Sequence, residues 1–245
     1  MAWEGGCVSE AEGGLAAVVV AGGSGIRMGA GTRKQYLALG GIPLMGHSLR
    51  MLDQNPEVES IVLVVPSEDM VYVRDCILPD LKLRRVPSLA AGGTTRQASV
   101  YSGLNSVDAS AGFILVHDAV RPFLEYRHIS ETLDVARNHG AATLVIDVVD
   151  TLRRQLPGGN VLMVDRQGLF AVQTPQVFRS DILRRAHETA LARGLEGTDD
   201  AGLVTAMGHS VVFVRGSRIN LKVTSPEDLI LAEALLGIIR KKAGL

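Results

Sequence analysis

A glycine-rich turn with two basic side chains is the first segment of this sequence that could do chemistry. The stretch AGGSGIRMGAGTRKQY, residues 21–36, directly follows an apolar run and contains Arg27 and Lys34. Glycines let the backbone approach an anion closely, and their amides can point at phosphate oxygens. The segment therefore predicts a phosphate-binding turn, whereas the glycines without the basic residues would also suit tight packing alone.

A second glycine turn occurs later in the chain, in AAGGTTRQASV, which is predicted to follow a further strand between the apolar runs at Ser60 and Gly112. Gly92 and Gly93 precede Arg96 and Ser99, which lead into a predicted helix. If both turns follow strands of one parallel sheet, they meet at the same edge, where open α/β sheets bind ligands. Ser99 is equally consistent with an ordinary position on a helix surface.

Two charged residues could complete an anion site at this edge. Asp118 ends the apolar run GFILVHD, and a carboxylate there can ligate a magnesium ion carried by a nucleoside triphosphate. Helix capping or a salt bridge with Arg121 is the alternative for this aspartate. Lys222, in GSRINLKVTSPEDL, would add positive charge close to the sheet edge, unless it is a solvated surface lysine.

Three other polar residues near these motifs are better explained by structure than by chemistry. His117 has no second histidine at metal-ligating spacing. Asp199 and Asp200 follow Thr198, which suits the start of a helix. None of the three is predicted to act on a ligand.

Apolar runs alternate with amphipathic segments along the chain, and this pattern predicts an α/β fold. The runs are continuously apolar, as in strands that are covered on both faces. They begin at Leu15, Ser60, Gly112, Ala141 and Ser210. Helices are predicted over 47–55, 67–78, 95–104, 128–139, 180–193 and 225–240. Repeated strand, helix, strand connections imply a Rossmann-like, mostly parallel sheet with helices on both faces.

One segment interrupts this alternation. Residues 150–173 contain two short strand patterns around the turn Pro157-Gly158-Gly159-Asn160, which predicts a protruding β-hairpin arm. Because an isolated hairpin is only marginally stable in water, we expect this arm to lie on its own domain or on a partner subunit. The remaining organisation is predicted to be a flexible tail over 1–14 and a single domain over 15–245.

Composition excludes several classes of protein. The chain has 245 residues, of which 47% are hydrophobic, and its 25 basic and 26 acidic side chains give a net charge of −1. Such a chain lacks the broad positive field that binding to nucleic acid requires. Its apolar runs are shorter than the ~20 residues that span a bilayer. Since the first residues contain neither a basic start nor an apolar stretch, we expect no secretion signal. With its two cysteines predicted to be unpaired, a cytoplasmic protein with no nucleic-acid or membrane partner is expected.

Two familiar nucleotide-binding patterns do not fit the glycine turns. A dinucleotide fingerprint starting at Gly23 would need glycine at Met28, and the second predicted strand ends in Val65-Pro66-Ser67 where an acid would hold the ribose. A Walker P-loop needs a G-K-[ST] sequence, which the chain does not contain. These differences weaken a dehydrogenase and nearly exclude a P-loop NTPase.

Taken in order, the motifs resemble those of the 2-C-methyl-D-erythritol 4-phosphate cytidylyltransferase family. The resemblance runs from about Leu15 to Leu236 and rests on AGGSGIRMG, KQY, GGTTRQAS, HDAVRP, VDTL, VDRQGL, TPQ, TDDA and LKVTSPEDL. HDAVRP and TPQ are fairly specific, whereas the glycine opening is shared with other nucleotidyltransferases. The resemblance implies transfer of a cytidylyl group from CTP to methylerythritol phosphate. Pyrophosphate and 4-diphosphocytidyl-2-C-methyl-D-erythritol would form, in the non-mevalonate pathway to isoprenoid precursors.

The resemblance also assigns residues to CTP and its metal. Arg27, Lys34 and Lys222 would stabilise charge at the reacting phosphorus, and Asp118 would bind Mg²⁺ or another divalent cation. The nucleotide itself would be held by Ala21, Gly22, Gly23, Gly25, Gly93, Ser99 and Ala119.

For the acceptor, the resemblance implies binding by Arg121, Thr151 and Arg166. In this family the hairpin arm swaps across a homodimer, so Thr151 and Arg166 would act in the partner's site. The sequence departs from the family at Arg218-Ile219-Asn220, where an acid often precedes the lysine, so Asp118 would ligate the metal with water and phosphate oxygens. A ribitol 5-phosphate cytidylyltransferase and a non-catalytic nucleotide-binding module are the alternatives.

Overall fold

The computed structural model describes residues 13–23, 33–242 and 244. The strands, in chain order, are β1 (Leu15–Val20), β2 (Ala38–Leu39), β3 (Ile42–Pro43), β4 (Val58–Val65), β5 (Ser88–Ala91), β6 (Phe113–Asp118), β7 (Ala141–Asp147), β8 (Leu152–Gln155), β9 (Val161–Val164), β10 (Phe170–Arg179) and β11 (Val212–Arg215). The helices are α1 (Leu44–Gln54), α2 (Met70–Tyr72), α3 (Leu78–Leu81), α4 (Arg96–Leu104), α5 (Tyr126–His139), α6 (Ser180–Arg193), α7 (Asp200–Ala206) and α8 (Pro226–Lys242). The predicted amino-terminal tail, 1–14, lies almost entirely outside the described residues.

Seven strands form the central sheet in the order β11-β7-β10-β6-β1-β4-β5. All neighbouring pairs are parallel except those of β10, which runs antiparallel to both β6 and β7. The prediction of a mostly parallel α/β sheet is therefore confirmed. In the described part of the chain, no helix is both long and apolar enough to span a bilayer.

The continuous apolar pattern of the strands arises because helices cover both faces of the sheet. In β1, Leu15, Ala17 and Val19 face one core, which also contains side chains of α1 and α5. Ala16 and Val18 of the same strand face a second core with side chains of α4, α6 and α7. Burial on both faces removes the polar alternation that a half-exposed strand would show.

The predicted helices are present, with ends that differ by a few residues. The region predicted as one helix over 67–78 extends to Leu81 and changes geometry along its length, through a 3-10 turn at Ser67–Asp69, α2, a π-helical turn at Val73–Ile77 and α3. At the start of α8, the Ser225 hydroxyl accepts a hydrogen bond from the Asp228 amide at 3.3 Å, as expected for a helix cap.

The predicted hairpin is present, but it is shorter than expected. Strands β8 and β9 pair as a separate two-stranded sheet around the predicted turn. Residues 170–173, which the prediction included in the arm, belong instead to β10, and 170–172 pair with β7 in the central sheet. The strand β10 continues to Arg179 through a segment for which the sequence predicted no strand.

Candidate active site

A crevice of about 450 Å³ lies at the carboxyl edge of β1, β4, β5 and β6. Both glycine turns line it, together with charged residues from distant parts of the chain. The predicted site residues that line it are Ala21, Gly22, Gly23, Lys34, Gly93, Ser99, Asp118 and Lys222. Two other predicted residues, Gly25 and Arg27, lie outside the described residues.

The first turn is held by a residue whose part the sequence did not reveal. Gln35 is buried in the 3-10 turn Lys34–Tyr36, directly beside Lys34. Its side-chain amide donates hydrogen bonds to the carbonyls of Ala21 at 2.8 Å and Gly23 at 3.2 Å. Because Gln35 bonds to the backbone that follows β1, it fixes Lys34 relative to the glycines. In the sequence, the only sign of this role is the position of Gln35 between Lys34 and Tyr36.

The second turn is fixed by Ser99 of α4. The Ser99 hydroxyl accepts a hydrogen bond from the Gly93 amide at 3.1 Å and donates one to the Thr95 carbonyl at 2.9 Å. Ser99 is 2% exposed, so its interpretation as a helix-surface serine is wrong. The hydroxyl instead holds the turn at the start of α4.

The two turns are in direct contact with each other. A Cβ atom on Gly22 would lie 3.0 Å from the Ser99 hydroxyl and 3.3 Å from the Gly92 Cα. A Cβ on Gly92 would lie 3.1 Å from the Gly22 Cα. These distances are tighter than ordinary contacts, so glycine at both positions allows the turns to form one continuous surface of the crevice.

Asp118 lies at the centre of the positive charge in the crevice. Its Oδ2 is 2.7 Å from Lys222 Nζ and 3.9 Å from Arg121 Nε, and its Oδ1 accepts a hydrogen bond from Arg96 Nε at 3.1 Å. Burial alone would raise the pKa of Asp118, but Arg96 and Lys222 outweigh this effect and lower it below the ordinary range. The carboxylate is therefore ionised at neutral pH. The alternative, a salt bridge with Arg121 alone, is incomplete, because Asp118 also pairs with Arg96 and Lys222.

The segment that carries Lys222 is anchored by Asn220, at the point where the sequence departs from the family. Asn220 is buried, and its amide donates to the Thr174 carbonyl at 2.9 Å. The backbone carbonyl of Asn220 accepts a hydrogen bond from Arg121 Nη1 at 2.8 Å. These bonds tie the segment to β10 and to the loop after β6, and thereby place Lys222 beside Asp118.

Four of the described predicted residues do not line the crevice of this chain. Ala119 is fully buried in the core, and its amide donates to the Val20 carbonyl at 3.1 Å. Thr151 and Arg166 belong to the exposed arm, where the Arg166 guanidinium donates to the Val149 carbonyl. A fourth predicted residue, Arg121, is buried beside Asp118, and burial lowers its pKa more than Asp118 raises it.

The donor set in the crevice fits a metal that is shared with a nucleotide. The described residues contain no group of three or more histidine, cysteine or acidic side chains that could hold a metal by themselves. Magnesium is usually bound through one or two carboxylates, with phosphate oxygens and water as its other ligands. Asp118 supplies one ionised carboxylate beside two turns suited to phosphates, so it fits Mg²⁺ that arrives with its nucleotide.

Comparisons with known proteins agree with this geometry. Residues 15–238 match the family model described as IspD, 2-C-methyl-D-erythritol 4-phosphate cytidylyltransferase. A curated protein of that name from Pelotomaculum thermopropionicum is 44% identical over 91% of this chain and 94% of its own length.

Solved structures give the same result. The 4-diphosphocytidyl-2C-methyl-D-erythritol synthase of Anaerococcus prevotii superposes with a TM-score of 0.81 at 27% identity, over 92% of this chain and 96% of its own. The 2-C-methyl-D-erythritol 4-phosphate cytidylyltransferase of Thermus thermophilus gives a TM-score of 0.74 at 32% identity, over 90% and 98% of the two chains. The family match extends over nearly the whole chain and includes every described residue of the crevice, so this chain belongs to the 2-C-methyl-D-erythritol 4-phosphate cytidylyltransferase family.

Proposed function

We infer that the crevice is the active site of this cytidylyltransferase, which transfers the cytidylyl group of CTP to 2-C-methyl-D-erythritol 4-phosphate and releases pyrophosphate. The reaction is a step in the synthesis of isoprenoid precursors. One observation carries the inference: Lys34 and Lys222, 188 positions apart in the numbering, line the same crevice as both glycine turns. A module that only senses a nucleotide has no need for two converging lysines beside an ionised carboxylate.

The reaction joins two highly anionic molecules, and their repulsion is the obstacle that the protein must remove. A phosphate oxygen of the acceptor attacks the α-phosphorus of CTP, and pyrophosphate leaves in line. No covalent enzyme intermediate is needed, so catalysis consists of positioning and of electrostatic stabilisation. We propose that Lys34 and Lys222 supply this stabilisation, together with Arg27, whose role rests on the family resemblance.

The glycine turns would bind the nucleotide through their backbone. Amides of Gly22 and Gly23 border the crevice at the end of β1 and are suited to phosphate oxygens. The Gly93 turn, held by Ser99, lies directly beside the first turn and would receive the cytosine and its ribose. Since both turns are fixed by hydrogen bonds before any ligand binds, little reorganisation is needed during the reaction.

Asp118 is proposed to ligate Mg²⁺ together with phosphate oxygens and water. When bound, the ion would neutralise phosphate charge and act as a Lewis acid. In the described structure Lys222 is paired with Asp118. We propose that Lys222 transfers its contact to the phosphates when CTP binds, which would expose the Asp118 oxygen. Arg121, buried at the same edge, would hold the acceptor's phosphate.

We also propose a homodimer in which the arm, β8 and β9 with their flanking residues, completes the site of the partner. Val161, Leu162 and Met163 of β9 are 56%, 52% and 77% exposed, and contiguous exposed apolar surface is typical of an interface. Thr151 and Arg166 are on this arm and do not line the crevice of their own chain. Location in the cytoplasm and a single domain over 15–245 also remain predictions.

An acceptor screen tests the proposed function. Purified protein is given CTP and Mg²⁺ with either methylerythritol phosphate or ribitol 5-phosphate, and pyrophosphate release is measured. Preference for methylerythritol phosphate is expected. A preference for ribitol phosphate would change the acceptor but not the chemistry, whereas CTP binding without pyrophosphate release in either case would indicate a non-catalytic module.

A further inference from the structure

A chain of buried polar groups extends from Asp118 away from the crevice. Arg96, the first residue of α4, lies between two carboxylates: its Nε is 3.1 Å from Asp118 Oδ1 and its Nη1 is 2.8 Å from Asp200 Oδ2. Asp200, at the start of α7, accepts a further hydrogen bond on Oδ1 from His187 Nε2 of α6, at 2.9 Å. The four side chains therefore connect the crevice to α7 and α6.

Asp200 is not placed to bind a ligand itself. It is 1% exposed, its two oxygens are occupied by Arg96 and His187, and its amide donates to the Gln176 side chain at 3.2 Å. A buried carboxylate is costly unless it is paired. The pairing here has a direct consequence for Arg96, because it fixes the guanidinium in one orientation.

That orientation limits how Arg96 contacts Asp118. Arginine and carboxylate groups frequently form two parallel hydrogen bonds. Arg96 instead gives Asp118 a single hydrogen bond, and its Nη2 is buried without a hydrogen-bond partner among the described residues. With Nη1 held by Asp200, Asp118 Oδ2 remains directed at Lys222.

We propose that Arg96 and Asp200 are positioning residues for Asp118. Asp200 anchors Arg96, and Arg96 holds Asp118 through Oδ1, which leaves Oδ2 available to Lys222 and to a divalent cation that enters with the nucleotide. The proposal rests on the proposed function, because it assigns Asp118 the metal. Without the anchor, Arg96 would turn toward Asp118, engage both oxygens and compete with the cation.

The test replaces the anchor while preserving its shape. In Asp200→Asn, the affinity for Mn²⁺·CTP, measured by electron paramagnetic resonance of the bound ion, should fall by about 10-fold to 100-fold, the usual effect of removing an outer partner of a metal ligand. Turnover should recover in part at high Mn²⁺, and the KM for the acceptor should stay within about two-fold, since the acceptor does not contact Asp200.

Asp199→Asn is the matched control, because it makes the same charge change one residue earlier. Asp199 caps α7 by accepting from the Gly202 amide at 2.9 Å, and it also accepts from Gln176 Nε2 at 2.7 Å. Among the described residues, no hydrogen bond or ion pair joins Asp199 to Arg96, so the control leaves both partners of Arg96 in place. This variant should bind Mn²⁺·CTP like the unsubstituted chain. If Asp200→Asn lowers only the melting temperature and leaves Mn²⁺·CTP affinity unchanged, the positioning role is wrong.

A second variant decides the question if Asp200→Asn fails to fold. Arg96→Lys keeps the charge but cannot bridge two carboxylates, so it should weaken Mn²⁺·CTP binding over the same range. Unchanged binding in Arg96→Lys would overturn the proposal. If the unsubstituted protein neither binds Mn²⁺·CTP nor releases pyrophosphate, the proposed function itself fails.

Discussion

Lys222 Nζ lies 2.7 Å from Asp118 Oδ2, so the cation proposed to act on CTP is paired in this structure with the carboxylate proposed to hold the metal. Both residues line the crevice that Lys34 also lines. The presence of the pair explains how so much positive charge can converge before a substrate arrives. The carboxylate offsets the repulsion among the cations, and the phosphates of CTP would take over that role.

Replacing Lys222 with alanine should lower turnover by about 10² to 10³, because one preorganised charge contact to the transition state is lost. The measurement is the rate of CTP-dependent pyrophosphate release at saturating substrates. Lys241→Ala, at an exposed position near the end of α8, is the control and should retain full activity. A Lys222→Ala variant with unchanged turnover would remove this residue from the mechanism.

Lys34→Ala should give a loss of similar size, about 10² to 10³ in turnover, for the same electrostatic reason. The fold should remain intact, because Gln35 holds the backbone of the glycine turn. Circular dichroism checks the fold, and pyrophosphate release checks the rate. Normal turnover in a folded Lys34→Ala protein would contradict the proposed role.

Gly93→Ala should impair CTP binding through a steric effect on the second turn. The added Cβ would lie 2.5 Å from the Ala98 Cβ, so the turn must move and the bond from the Gly93 amide to Ser99 would be lost. We expect the KM for CTP to rise about 10-fold, which corresponds to about 1.4 kcal/mol. Gly237→Ala in α8 is the control, since a Cβ there meets no atom within 4 Å; it should raise the free energy of unfolding by about 0.5 to 1 kcal/mol. An unchanged KM in Gly93→Ala would show that the turn does not hold the nucleotide.

The free energy of unfolding should decrease as pH falls below about 6.5, partly because of His128. Burial lowers the pKa of His128 from its ordinary 6.5, and Glu125 only partly opposes this. The Glu125 amide donates to His128 Nδ1 at 3.4 Å, a contact that a proton on Nδ1 would remove. Below pH 6.5 the unfolded chain therefore binds more protons than the folded chain, and stability is lost down to the folded pKa.

Urea unfolding at several pH values measures this slope, which should be shallower in His128→Gln. A slope will remain in that variant, because burial also lowers the pKa of His47 and of His117. His139→Gln, at an exposed position of the same helix, serves as the control. Identical slopes for His128→Gln and the unsubstituted chain would contradict the assignment.

Sites shared between subunits can be detected with mixed dimers. Lys34→Ala and Arg166→Ala should each be nearly inactive as homodimers. In a purified heterodimer of the two, one site would contain both Lys34 and the partner's intact arm, so about half of the unsubstituted activity should return. No recovery in verified heterodimers would contradict exchange of the arm.

Much of the fold could be predicted because strands that are buried on both faces of a sheet are continuously apolar in sequence. The strand that was missed, β10, differs in that Gln176 and Thr174 are buried polar residues. The side-chain amide of Gln176 donates hydrogen bonds to the Thr143 hydroxyl at 3.0 Å and to the Asp199 carboxylate at 2.7 Å, both from other parts of the fold. Periodicity records the polarity of a residue but not the partners that make its burial possible, so the sequence assigns 170–173 to the arm and predicts no strand over 174–179.

The sequence predicts those site residues that can be recognised singly, by their type and their place in a motif. The glycines, Lys34 and Asp118 stand out by type and by their position at or after the ends of predicted strands, and Lys222 stands out by its charge just before the last predicted helix. The pair Arg96 and Asp200 does not, because it joins residues 104 positions apart through a bond that neither local pattern requires. The interpretation of Asp200 as an ordinary helix-start residue was incomplete for this reason.

The close approach of Gly22 and Gly92 couples the two halves of the nucleotide site. Neither turn has room to shift toward the other. A movement of the second turn that accommodates a different base would therefore also displace the first turn, which is proposed to bind the phosphates. Natural variation at these two positions should therefore be restricted together. Any attempt to redesign the base preference should start from side chains above the turns and leave the backbone beneath them untouched.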